Sequence, residues 1–168
     1  MQVLMTMPLP RYAKALSTPL WLLFLLTALM LVSLPTFTSA FTIGEECGGG
    51  VVCYVNASGK HGLIVSRTDL KGHSPGCPEG FFTWDDAQLA CRNYVSCDYN
   101  DWILPSKEQL NKLYLHKSDL GPFSVSYNHY WSSSVDKAGN VWVQGFGGGF
   151  QVLNFKTNAN RVRAIRVF

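Results

Sequence analysis

The 168-residue chain predicts an α+β domain behind an N-terminal export segment. Three observations carry this. Two short helical patterns sit together in mid-chain, at "TWDDAQLAC" and "PSKEQLNKLY". Strand patterns precede and follow them, without the strand–helix–strand alternation of a parallel sheet. Residues 1–40 differ in composition from everything after them.

That first stretch has three parts. Arg11 and Lys14 form a basic start, "PLWLLFLLTALMLVSL" is an uncharged apolar run, and "TFTSA" ends in small residues at Ala40. This is the layout of a secretory signal peptide. The run falls short of the roughly 20 residues that span a bilayer, so cleavage after Ala40 is expected. Membrane contact is expected only if the segment stays uncleaved. Residues 41–168 then form one domain, exported to a secreted, periplasmic or cell-surface location. The chain has 14 basic and 11 acidic residues, and removing Arg11 and Lys14 leaves 12 against 11. A balance this close to neutral gives no reason to expect a nucleic-acid partner.

Each element of the domain follows from its local pattern. "VVCYVNASGKHGLIVS" reads as a hairpin, with turn chemistry in "NASGKHG". "TDLKGHSPGCPEG" is a loop. Thr83 with Asp86 gives a capping-box pattern, and Ala87, Ala90 and Cys91 make an apolar stripe on the helix that follows. Ser106 with Gln109 caps the second helix, whose stripe is Leu110, Leu113 and Tyr114. From Tyr130 onward the pattern becomes strands and tight turns: "YWSSSV", "DKAGN", "VWVQGF", "GGG", "FQVLNF", "KTNAN" and "RVRAIRVF".

All five cysteines (Cys47, Cys53, Cys77, Cys91, Cys97) follow the export segment. An oxidising compartment favours disulfides. The local pairs are Cys47 with Cys53 and Cys91 with Cys97, and an odd count leaves one thiol over. Neither C-x-x-C nor a zinc-type histidine spacing is present.

Several separated motifs resemble one family, the domain found at the C-terminus of Legionella collagen-like protein. "DWILPSKEQLNKLY" is similar to its D-W-x-L-P-S/T helix start, and "TWDDAQLAC" to its first helix. "YWSSS", "VWVQGF", "GGG" and "RVRAIR" follow in the family's order. The resemblance covers roughly residues 43–168 and implies a C-type-lectin-like fold. In that fold two helices flank an antiparallel sheet whose N- and C-terminal strands pair, placing "RVRAIRVF" beside "VVCYV".

Function has to come from the site rather than the fold. "YWSSSV" offers three serines, but a serine nucleophile needs a base and an oxyanion pocket, and no G-x-S-x-G elbow is present. Alternation puts Ser132 and Ser134 on one strand face and Ser133 on the other. Neither the Glu-Pro-Asn loop nor the Trp-Asn-Asp strand of Ca²⁺-dependent lectins occurs. Asp98, Asn100 and Asp101 are the remaining oxygen cluster for a Ca²⁺ ion, and no cofactor is expected. The expectation is therefore a non-enzymatic recognition domain for a glycan or another surface ligand. The competing expectation is a structural module that binds another protein. The resemblance implies an exposed ligand face made of Asp136, Asn140, Phe150, Asn154, Thr157, Asn158, Asn160 and Arg161. Amides suit sugar hydroxyls, Phe150 can stack, and Lys156 with Arg161 can meet an anionic group.

Overall fold

A computed structural model describes residues 40–126 and 128–168. The expected export segment, apart from Ala40, lies outside the described residues. Among those residues no helix is long and apolar enough to cross a membrane.

The element order is β1 (Glu46–Cys47), β2 (Gly50–Val55), β3 (Gly62–Val65), α1 (Trp84–Asn93), α2 (Lys107–Leu115), β4 (His129–Val135), β5 (Val141–Gly145), β6 (Gln151–Asn154) and β7 (Ile165–Val167). All strand pairs within the two sheets are antiparallel, so the α+β class is correct. The strands form two sheets rather than one, in the orders β1-β2-β3-β7 and β4-β5-β6.

The hairpin β2–β3 is apolar on both faces because both faces are covered. Val52 and Ile64 enter one core cluster with Trp102, Trp131, Val141, Val143 and the buried α1 residues Ala87 and Cys91. Val51, Leu63 and Val65 enter a second cluster with Leu110 and Leu113 of α2, plus Tyr130 and Phe146. Each helix therefore closes one side of the sheet layer. Burial of apolar area on both sides is the main stabilising term, at about 25 cal/mol per Å².

The last strand joins the N-terminal sheet, as expected, but its neighbour differs. β7 pairs with β3, matching Leu63 to Val167 and Val65 to Ile165. It does not pair with "VVCYV", because β1 already occupies the other side of β2 through Glu46 and Val51. Upstream of β7 the chain stays extended. Leu70 N donates to Val162 O at 2.9 Å, and Trp131 N donates to Arg161 O at 3.0 Å. Residues 160–167 thus run from the edge of β4 to the edge of β3 and tie the two sheets together.

Both helix starts lie where the caps predict. Ser106 makes the full capping box: Gln109 N donates to its hydroxyl, and Ser106 N donates to Gln109 Oε1 at 2.7 Å. Thr83 occupies the other N-cap without the expected bond to helix backbone. Its hydroxyl donates to Asp86 Oδ2 at 2.9 Å, while its own N–H is taken by Ser74 Oγ at 2.7 Å. The Ser74 and Thr83 hydroxyls hold the Asp86 carboxyl below its ordinary value.

The expected disulfides do not form, and all five cysteines are free thiols. Cys53 sits beside a β-bulge in the second cluster, and its Sγ donates to Leu63 O at 3.2 Å. Cys47 packs against the first cluster, on the opposite side of the sheet, so the two thiols are separated. Cys91 points inward from α1, whereas Cys97 is exposed in a left-handed turn, at φ 49°. Burial pushes the Cys53 and Cys91 thiols up to about 12. Because the thiolate is the nucleophile, iodoacetamide is expected to alkylate Cys97 in the native protein and to spare Cys53 and Cys91. Peptide mass spectrometry with and without denaturant checks this. Native labelling of Cys53 would show that the hairpin opens.

Candidate functional site

The β5–β6 connection helps to build a groove on the domain's C-terminal half. The groove, of about 500 Å³, is lined by Val125, Ser126, Asn128, His129, Gly145, Gly147, Gly148 and Phe150. Its floor is backbone, because the run of glycines lets other groups close in. A Cβ on Gly147 would sit 2.5 Å from Val125 O, and one on Gly148 would sit 2.6 Å from the Phe150 ring. Gly149 adopts φ +79° against the Tyr114 ring, the left-handed conformation that favours glycine. The outcome is a Phe150 ring that is 74% exposed yet laid against the glycine backbone at the groove's rim.

The polar wall comes from the segment before β4. Asn128 Nδ2 donates to Ser124 Oγ at 3.1 Å, which leaves its amide oxygen for a ligand. The His129 ring lies over Gly145 and lines the groove. Among the described residues, none of the lining side chains is an Asp, Glu, Lys or Arg.

A charged network anchors this wall. Asp69 Oδ1 accepts from Arg163 Nε at 3.0 Å, and its Oδ2 accepts from Tyr130 Oη at 2.9 Å and Arg161 Nη1 at 3.3 Å. Arg163 is fully buried, donates to Ser66 O at 2.8 Å and to Pro122 O, and lies over the Phe123 ring. Ser124 N donates to Tyr130 Oη at 2.7 Å. The strip 122–124 is thus fixed immediately before the groove wall. Burial, reinforced by the Asp69 carboxylate, pushes the Tyr130 phenol well above its ordinary value. Burial lowers Arg163, against the pull of Asp69.

The eight residues expected as one ligand face are divided among different settings. Asp136 closes the β4–β5 turn, its Oδ1 accepting from Ala138 N at 2.9 Å and Asn140 N at 2.8 Å. Asn154 caps the end of β6, accepting from Phe155 N at 3.0 Å and from the Asn158 side chain. Thr157 and Asn158 are exposed in the following turn. Phe150 lies at the other end of β6, on the groove. Asn160 is a correction: it is only 4% exposed, because its backbone pairs with Phe82 in both directions. Arg161 is half-buried in the Asp69 network and over the Phe81 ring rather than presented to solvent.

Other expected groups are used structurally. Ser132 Oγ donates to Trp142 O at 2.7 Å, and Ser134 Oγ accepts from Lys107 N at 2.9 Å. Asp101 grips Arg166 through two bonds of 2.7 and 3.0 Å, so Arg166 holds its carboxyl below the ordinary value. No cluster of three or more His, Cys, Asp or Glu side chains suited to a metal occurs among the described residues. The sequence reading missed Val125, Ser126, Asn128, His129, Gly147 and Gly148. The available signal was "GFGGGF", a glycine run longer than a tight turn needs and flanked by aromatics.

Fold and site together define a small α+β domain. Helices seal both sides of its sheet layer, and its C-terminal half carries a rim groove and polar turns. The chain belongs to the Lcl C-terminal domain family, whose model matches residues 60–166. No curated protein matches it.

Proposed function

We propose that the chain is an exported, non-enzymatic recognition domain that binds a glycan or another surface ligand through its C-terminal half. The observation that carries this is the groove with Phe150 exposed at its rim. An exposed aromatic ring next to amide, hydroxyl and imidazole groups is a ligand-ready combination, since each polar group can fix orientation. The structural use of Ser132 and Ser134 supports a role without chemistry. Family membership supports export, because the family is associated with secreted or cell-surface proteins.

A protein partner is the second reading. It is favoured by the apolar side chains along and beside the edge strand β6, where Val152, Leu153 and Phe155 are exposed. A glycan array on the full chain, paired with a pulldown from surface extracts, tests the two. Specific glycan binding that is lost in Phe150→Ala or Asn128→Ala is expected. A protein partner with no glycan bound would overturn the first reading in favour of the second.

A further inference from the structure

From the chemistry of the groove we infer that its ligand is an uncharged hexopyranose, seated by one face on Phe150 and held by Ser126, Asn128 and His129. This deepens the recognition role proposed above and rests on it.

Charge is the first argument. The groove wall is neutral, whereas the nearby cations of the domain are turned to other partners. Lys117 Nζ donates to Phe146 O at 2.7 Å and lies over the Tyr114 ring. Lys107 sits 3.2 Å above the Trp142 ring, and Arg161 and Arg163 share Asp69. A sulfate or carboxylate in this groove would lose water without gaining a counter-charge.

Shape is the second. A pyranose has an apolar C–H face and a rim of hydroxyls. Phe150 offers a flat apolar surface on one side, and the Asn128 amide oxygen, the His129 ring and the Ser126 hydroxyl offer donors and acceptors on the other. A purely apolar side chain would strip water from those polar groups without replacing their hydrogen bonds. The volume of about 500 Å³ lies within the roughly 300–1,000 Å³ of small-ligand sites.

Fixation is the third. The Phe150 ring lies against the backbone of Gly148, where a Cβ would sit 2.6 Å from it, so the missing side chain there lets the ring take this position. A platform set before binding lowers the ordering cost of recognition.

The test is saturation-transfer NMR and titration of the full chain with methyl glycosides of glucose, galactose, mannose and N-acetylglucosamine. Dextran sulfate serves as the anionic probe, at about 0.05 M and about 0.5 M salt. At least one neutral glycoside is expected to bind, with affinity changing less than about twofold between the two salts. Phe150→Ala is expected to weaken it about tenfold or more, and Gly148→Ala, which displaces the ring, to weaken it as well. Lys60→Ala, in the β2–β3 connection, is expected to leave it unchanged. Binding of dextran sulfate alone would overturn the inference and leave the recognition role standing. A neutral sugar bound equally by Phe150→Ala would also overturn it, because the site would lie elsewhere. No sugar of either kind would overturn the inference and the glycan role together.

Discussion

Replacing Asp69 by alanine is expected to lower the unfolding free energy by about 3–5 kcal/mol, because it leaves a buried cation without its counter-charge. Arg163 is fully buried, and Asp69 is the one carboxylate it meets among the described residues. The same oxygen pair also receives Tyr130 and Arg161. Removing the carboxylate therefore orphans several donors at once, and each unmet buried donor costs on the order of 1–3 kcal/mol. The check is denaturant unfolding, read as a lower midpoint with an unchanged slope. The double variant Asp69→Leu/Arg163→Met is expected to recover only the part of the loss that comes from the Arg163 charge, since Tyr130 and Arg161 stay without their acceptor. A loss under about 1 kcal/mol in Asp69→Ala would place the network among weak surface pairs instead. The strip 122–124 should loosen as well, so Asp69→Ala should also raise hydrogen exchange at Ser124, whose N–H depends on Tyr130.

Trp131→Ala is expected to cost about 3–5 kcal/mol, the range for truncating a fully buried tryptophan. The indole is inaccessible and packs in the first core cluster with Phe82, Val143 and Val162. Its Nε1 donates to Phe82 O at 2.7 Å, so truncation opens a cavity and removes a hydrogen bond together. Trp131→Phe separates the two contributions. It retains most of the volume, and the expected loss is smaller, about 1–3 kcal/mol. Thermal or urea unfolding of the two variants measures the difference. Equal losses in both would mean that the hydrogen bond, rather than the volume, dominates.

The two sites differ in how legible they were. Trp131 stood in a strand pattern flanked by turns, and its burial follows from an aromatic on the inward face of a sheet. Asp69 stood in a loop rich in glycine and proline, next to a cluster of arginines far along the chain, at Arg161 and Arg163. Of that cluster, Arg161 was expected on an exposed ligand face. Its burial depends on a pairing between residues more than ninety positions apart, and no local pattern encodes such a pairing.

The cysteines show the same limit from another side. Cys47 and Cys53 are neighbours in sequence, yet they serve different core clusters. Alternation in a sheet covered on both sides sends nearby residues to opposite cores, and this outweighs their closeness along the chain. Asn160 looked like the end of a polar loop and Arg161 like the start of the last strand, but backbone pairing with Phe82 and Trp131 draws them inward.

By itself, the sequence determined the elements whose signals are local. These are the Ser106 capping box, the position of both helices, the turn that Asp136 closes, and the strands of the C-terminal meander. Each depends on side chains within a few residues of one another, so the physics that sets them is contained in a short window. Tertiary structure alone decided the partner of the last strand, the division of the core into two clusters, and the fate of the thiols. It also decided that "GFGGGF" would be a groove floor with an aromatic rim. Those outcomes depend on which surfaces meet across long chain separations. The glycine run permits close approach, but only the fold supplies Val125, His129 and Tyr114 as the groups that approach.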